Sequence, residues 1–319
     1  MSLRVLSAGF LTSLQDGGRP GVAAMGVGAS GAFDQPALCL ANALCGNEAG
    51  ACGLEITLIG PRLEFARDSL IALTGAPIPA WVDEQPAPMW SPVLIRAGSH
   101  LRLGAMREGC RSYLAVSGGI AVEPVLGSRS VDLNAGLGPL GGRALWAGDV
   151  LPLGDCPRLA TPARRWSLNA SHWFRNAPDQ PVRLLPGSQR GMLTGESSEA
   201  LSSRIFTVAN DSNRVGLRLS GARLEWRTPV EMISEGSLPG VLQLPPSGQP
   251  IAFGPEAPVS GGYPRIGQVA MVDIPRLAQA RPGDRLRFVS CDFDTALAAL
   301  QRREQALERL IGGISHRLG

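Results

Sequence analysis

Short apolar runs broken by Gly, Pro or Asp set the rhythm of the first half of the chain. They include 54–59 (LEITLI), 70–74 (LIALT), 93–96 (VLIR) and 113–117 (YLAVS). Runs of this length, bounded by turn residues, predict the short strands of a barrel or sandwich. One small turn recurs before three alternating segments. Ala97-Gly98-Ser99 precedes LRLG, Ala147-Gly148-Asp149 precedes VLPLG, and Pro282-Gly283-Asp284 precedes RLRFV. Alternation with a period of two is the strand signature. Two segments carry the helical period instead. Asp34 to Cys45 is rich in Ala and Leu, with Asp34 as N-cap, Pro36 in the first turn and Gly46 as the stop. The second, 294–311, sets Leu297, Leu300, Leu307, Leu310 and Ile311 on one stripe and stops at Gly312-Gly313. Arg302, Arg303 and Arg309 fall on its opposite, solvated face.

Between 155 and 180 the strand pattern lapses into Pro, Arg, Ser and Asn, with Trp166, Trp173 and Phe174 as aromatic pins. This stretch reads as a linker between a domain at 1–154 and one at 181–319, a division that suits a chain of 319 residues. A weak repeat crosses it. Leu54-x-Ile56-x-Leu58-x-Gly60-Pro61-Arg62-Leu63-Glu64-Phe65 resembles Gly216-Leu217-x-Leu219-x-Gly221-Ala222-Arg223-Leu224-Glu225-Trp226. Each is expected to be an alternating strand that turns at Gly and resumes, so the two domains are expected to be related β structures.

Composition narrows the chemistry. The 40 Gly and 26 Pro show no short period, which fits many tight turns. The net charge is +3 and no basic run exceeds two arginines, so there is no nucleic-acid footprint. The chain contains no lysine; all 30 basic residues are Arg. That excludes a Schiff-base lysine, a P-loop lysine and covalently attached biotin on this chain. The cysteines (39, 45, 52, 110, 156, 291) and histidines (100, 172, 316) lack metal-ligand spacing, so no metal is expected. No apolar run is long enough to span a bilayer, and no basic region precedes an apolar core at the N-terminus, so a cytoplasmic protein is expected.

Polar residues on glycine-rich turns are the candidates for chemistry. Gln15-Asp16-Gly17-Gly18-Arg19-Pro20-Gly21 packs an acid, a base and three glycines together, where Asp16 and Arg19 can orient an amide or carboxylate or simply satisfy a β-turn. Gly28-Ala29-Ser30-Gly31-Ala32-Phe33-Asp34 leads into the first helix and can hold an anion there, or serve only as a cap. Asn42 is unexpected inside a helix, and Asn47 is placed to cap its end. Glu55 opens an apolar strand, so burial demands a cation, with Arg19 and Arg129 as the candidates. Gly127-Ser128-Arg129-Ser130 has an anion-binding composition. In Gly261-Gly262-Tyr263-Pro264-Arg265, Tyr263 can donate to an oxyanion and Arg265 can grip a carboxylate or phosphate. Asp16, Arg19, Glu55 and Arg129 are expected to converge on one cleft, with Ser30 and Asp34 at its rim.

Taken in order, QDGGRPG, SGAFD, NALCGN, LEITLIGP, GGIAVEPVLGSRS, GGRALWAGD, NRVGLRLSG, SEGSLPGVLQLPPSGQPI, SGGYPRIGQV and LAQARPGDRLRF resemble one family. It is the KipA, or allophanate hydrolase subunit 2, family, and the resemblance runs from about residue 3 to 289. The resemblance implies a mainly β fold of two cyclophilin-like β-barrel domains with a few helices. For the 5-oxoprolinase branch it implies ATP-dependent opening of the 5-oxoproline lactam to glutamate. It also implies a heteromeric complex with a KipI-type and a LamB/YcsF-type subunit, ATP being bound by the complex. Within the matched motifs, Asp16, Glu55 and Asp34 would handle protons. Arg19, Ser30, Asn42, Arg129, Tyr263 and Arg265 would bind substrate. Two other branches remain open: a carboxyltransferase half served by biotin on another chain, and a KipA-type regulator that antagonises a kinase inhibitor. The chain departs from the family pattern at Ala29 (usually Pro), at Val131 (usually Thr) and at Glu256-Ala257-Pro258-Val259-Ser260, where Asp-x-Gln-Thr-Thr is common.

Overall fold

A computed structural model describes residues 2–156, 166–169, 173, 181–228, 230 and 232–318. The chain forms two compact units. The first comprises Met1–Arg19, Ser30–Arg175 and Ala306–Gly319; the second comprises Pro20–Ala29 and Asn176–Gln305. The division therefore does not follow a single linker: a ten-residue stretch and the last part of the C-terminal helix are exchanged between the halves.

In the first unit the apolar runs become β1 (Ser2–Ser7), β2 (Leu11–Gln15), β3 (Gly53–Thr57), β4 (Arg62–Phe65), β5 (Ser69–Gly75), β6 (Ala80–Val82), β7 (Gln85–Pro86), β8 (Val93–Ile95), β9 (His100–Leu103), β10 (Arg111–Val116) and β11 (Val150–Pro152). They make a six-stranded sheet, β11-β1-β4-β9-β6-β7, and a five-stranded sheet, β2-β3-β10-β5-β8, with antiparallel pairing throughout. Leu3, Val5, Leu63, Phe65 and Leu101 from the first sheet share one core with Leu54, Ile56, Leu73 and Leu114 from the second.

The two sheets differ in pattern because they differ in cover. Strand β9 alternates half-buried with buried, as a one-sided strand should. Strands β3, β5 and β10 are buried at every position. Helix α1 (Gln35–Leu44) covers the outer face of β5 and β10, where Leu38, Ala41 and Leu44 pack with Ala72, Tyr113 and Ala115. That is why these strands read as unbroken apolar runs.

The expected caps of α1 hold. The Ala37 N–H donates to Asp34 Oδ1 at 3.2 Å, and Gly46 takes a left-handed φ of 71° past the end. The C-terminal helix is a correction. It runs Phe293–Leu318, straight through Gly312-Gly313. Each glycine costs a helix about 1 kcal/mol relative to Ala. The apolar stripe nevertheless continues through Leu307, Leu310, Ile311, Ile314 and Leu318 onto α1, and its burial offsets that cost. Trp166 and Trp173 pack against the same cluster, and Ser91 Oγ donates to the Trp166 carbonyl at 2.6 Å. Phe174 and His172 lie outside the described residues.

The second unit contains β12 (Val182–Pro186), β13 (Ile205–Val208), β14 (Gly216–Ser220), β15 (Glu235–Gly236), β16 (Val241–Gln243), β17 (Ile251–Phe253), β18 (Ser260–Gly261), β19 (Arg265–Val269) and β20 (Arg285–Ser290). Seven of these close a barrel in the order β12-β19-β16-β17-β14-β13-β20, sealed by parallel pairing of Val182 with Phe288; β15 and β18 pair separately. Leu184, Phe206, Leu217, Leu242, Ile266 and Phe288 fill it. The mainly β architecture is thus as expected, but the internal repeat is only half realised. Residues 54–65 give strand, turn and strand (β3 and β4), whereas 216–226 give β14 alone. Past Gly221 the Leu224 N–H is taken by the Gly248 carbonyl, and the Glu225 carbonyl by the Thr194 N–H. Both backbone groups serve loops, so no second strand forms.

Candidate functional site

Three loops of the first unit are stitched together above the ends of β2 and β3: 15–19, 30–35 and 128–132. Their centre is the Asp16 carboxylate. Oδ1 accepts from the Gly18 N–H (2.8 Å), Ser128 Oγ (2.6 Å) and Ser130 Oγ (2.6 Å), while Oδ2 accepts from the Arg129 N–H (2.6 Å). The Asp16 carbonyl takes the Ala32 N–H at 3.0 Å, which ties in the loop before α1. Arg19, 1% exposed, donates through Nη2 to the Ser130 carbonyl. A carboxylate that accepts from four donors has its lone pairs committed. Asp16 therefore acts here as the fastener of the loops.

Ser30 sits at the turn between two of these loops with a φ of 52°, a left-handed conformation that costs an L-residue about 1–2 kcal/mol. Its Oγ donates to Asp132 Oδ2 at 3.0 Å, and Asp132 Oδ1 accepts from the Ala135 N–H at 2.9 Å. Next to it, Gly31 has a φ of 91°, and a Cβ there would meet the Gly18 backbone at 3.0 Å. The close approach of these two turns requires a glycine. Val131 is fully buried and belongs to the apolar core.

A second polar group lies under the start of α1. Glu55 Oε2 accepts from Tyr113 Oη (2.8 Å) and from the Phe33 N–H (2.9 Å), and the Asp34 N–H donates to Tyr113 Oη (2.7 Å). The cation that pairs with Glu55 is Arg111, with Nε 3.3 Å from Oε1, in place of the expected Arg19 or Arg129. Arg111 also stacks on the Phe33 ring at 4.7 Å. Register explains the pairing. Tyr113 stands directly across from Glu55 on β10, and Arg111 lies two residues away on the same strand. Burial, and then the charges of Glu55 and Asp34, push the Tyr113 phenol well above its ordinary value, so it stays protonated and donates.

The structure thus brings Asp16, Arg19, Ser30, Asp34, Glu55 and Arg129 into one hydrogen-bonded neighbourhood, but mostly as a closed framework. Arg129 lines an open cleft of about 1000 Å³, together with Asn47, Glu48, Cys52, Gly119 and Asp155. Its Nε donates to the Val122 carbonyl at 2.7 Å. Burial, followed by the nearby Asp16 charge, raises the Cys52 thiol well above its ordinary value, so it is no ready nucleophile. Sequence reading missed Arg111, Tyr113, Asp132 and the roles of Ser128 and Ser130. The GSRS composition signalled the two serines; the other three depend on long-range pairing.

The remaining candidates lie elsewhere. Asn42 is fully buried and is corrected to a loop tie. Its Nδ2 donates to the carbonyls of Ala49 (3.2 Å) and Ala51 (2.7 Å), and its Oδ1 accepts from Asn47 Nδ2 (3.1 Å), leaving no donor for a ligand. Tyr263 and Arg265 belong to the second unit. Tyr263 is 47% exposed. Arg265 pairs through Nη2 with Glu235, and Nη1 donates to the Gly236 carbonyl at 3.3 Å, bracing the β15–β18 corner. In the altered loop, Glu256 is buried in an ion pair with Arg214 Nε at 2.5 Å. Among the described residues no three His, Cys, Asp or Glu side chains form a metal-binding group, and no helix is long and apolar enough to cross a membrane.

Residues 25–290 match the model of the carboxyltransferase domain, subdomain A and B. The chain is 40% identical to the C subunit of 5-oxoprolinase from Escherichia coli K12, over 97% of both chains. It is 32% identical to the C subunit of 5-oxoprolinase from Haemophilus influenzae, over 96% of both. A putative urea carboxylase of Emericella nidulans is 35% identical over 98% of this chain but only 26% of its own length. Among solved structures, the Kluyveromyces lactis urea amidolyase superposes with a TM-score of 0.88 at 28% identity, covering 98% of this chain and 20% of that one. The family resemblance read from the ordered motifs is borne out, and the chain belongs to the family of the carboxyltransferase domain, subdomain A and B.

Proposed function

We propose that this chain is the C component of a 5-oxoprolinase, which opens the cyclic amide of 5-oxoproline to glutamate. The observation that carries this reading is the two-way coverage. The chain and its Escherichia coli 5-oxoprolinase relative match over 97% of each other, whereas the urea carboxylase relative is about four times as long. An amide is a poor electrophile, so ring opening requires activation of its carbonyl. With no lysine in the sequence, the phosphate-handling and nucleophilic parts fall to partner chains of the KipI and LamB/YcsF types, and ATP is bound by the assembled complex. In this chain Asp16, Glu55 and Asp34 hold the loops in place, Arg19 and Ser30 shape the turn, and Arg129 meets a ligand carboxylate at the cleft.

Co-expression with the two partner chains, followed by an assay of glutamate released from 5-oxoproline, tests the reading. ATP-dependent release by the complex and none by the single chain is the expected result. Robust hydrolysis by the purified single chain would end the claim that it is inactive alone. The superposition on urea amidolyase favours a second reading, a carboxyltransferase half fed by biotin on another chain. Carboxylation of urea or an amide by a complex with a biotin-carrying partner, without release of glutamate, would select it.

A further inference from the structure

Three charged side chains line the cleft beside the loop cluster: Arg129, Glu48 and Asp155. Among the described residues Arg129 donates to a main-chain carbonyl through Nε and to a carboxylate through its backbone N–H. Among the described residues neither Arg129 nor either carboxylate makes an ion pair, although all three face the same space. Opposite charges that share a cleft and stay apart leave a gap that a ligand can bridge. A simple anion would satisfy Arg129 but meet two carboxylates; a simple cation would leave Arg129 unanswered. Helix α1 also ends here, with Cys45 and Gly46 on the cleft wall, and its carbonyl end favours positive charge. Ala43, Ile120, Ile311 and Leu318 supply an aliphatic wall.

The geometry points to a binding site for α-amino acids in their zwitterionic form, with the carboxylate on Arg129 and the ammonium on Glu48 and Asp155. The cleft, of about 1000 Å³, leaves room for a side chain to reach solvent. The 5-oxoprolinase reading enters only through the choice of ligand. The nitrogen of 5-oxoproline is a neutral amide, whereas that of glutamate is an ammonium, so this cleft distinguishes the ring-opened product from the ring.

Calorimetric titration of the full single chain with L-glutamate, 5-oxoproline and glutarate tests the site. L-Glutamate binds at least about tenfold more tightly than the other two, a difference set by one charge-assisted contact. Arg129→Gln weakens L-glutamate by about tenfold or more. The double variant Glu48→Gln/Asp155→Asn, made at exposed positions, weakens L-glutamate and strengthens glutarate, and it carries the test if Arg129→Gln misfolds. Equal affinities for L-glutamate and glutarate, or no saturable binding at millimolar concentration, overturn the site. Because binding is read on the single chain, glutamate release by the complex without this binding would refute the cleft alone. Binding without release would refute the proposed activity alone.

Discussion

The loop cluster around Asp16 and Glu55 and the β15–β18 corner around Arg265 carry the same sequence signature: a Gly-Gly pair with an arginine close behind. Their physical situations are opposite. In the first unit the fully buried strand β10 and helix α1 lie behind the loops, so polar groups there depend on partners inside the protein. Glu55 and Arg111 are 1% and 5% exposed at the side chain, whereas Glu235 and Arg265 keep 42% and 29%. The arginine of the motif itself follows the same division: Arg19 is 1% exposed and clamps the loops, whereas Arg265 keeps 29% at the side chain and braces the surface.

Breaking the deeper pair should have the largest effect. Glu55→Ala removes the buried carboxylate that faces Arg111 and accepts from the Tyr113 hydroxyl and the Phe33 N–H, and is expected to destabilise the first unit by about 3–5 kcal/mol in denaturant unfolding. A loss under about 1 kcal/mol would show that water reaches this pair and that the contrast with the second unit is false. Next comes Asp16→Asn, which replaces a charged acceptor of four hydrogen bonds; about 2–3 kcal/mol is expected. Faster amide hydrogen exchange at Gly18 and Arg129, with β20 unchanged, would place the effect in the loops.

The two tyrosines sharpen the comparison, since one lies in each region. Burial keeps the Tyr113 proton bound in the folded protein well above pH 10. The unfolded chain sheds it near its ordinary value of about 10, so stability is complete below that pH and falls as pH rises through the window above it. In a Tyr263→Phe background, phenolate absorbance should appear only together with unfolding. Absorbance rising before unfolding would mean that Tyr113 is hydrated. The smallest effect is expected at the exposed corner: Arg265→Gln should change the stability of the second unit by less than about 1 kcal/mol, and by less still in high salt.

Much of this architecture is legible along the chain because its causes are local. The Asp34 cap, the Gly46 stop and the turns at Gly98, Gly148 and Gly283, each at positive φ, depend on neighbours within a few residues. The strands around Leu54, Leu70 and Tyr113 are visible from their apolar runs. Where expectation and structure part, the deciding partner is distant. The C-terminal helix survives two glycines because Ile314 packs on α1, and the second copy of the repeat loses its strand because Gly248 and Thr194 take its backbone groups.

The candidate site divides the same way. Glycine-rich turns pointed to Asp16, Arg19, Ser30, Asp34 and Arg129, and the apolar strand around Glu55, whose carboxylate needs a cation, added it to the group. Sequence by itself also determined that no lysine chemistry is available and that buried Glu55 needs a cation. Only the tertiary structure decided that the cation is Arg111, that Asn42 is spent on a loop, and that Arg129 opens onto a cleft. Strand register brings Glu55, Tyr113 and Arg111 together across more than fifty residues, and burial beside a nearby loop, not residue type, commits Asn42 to Ala49 and Ala51.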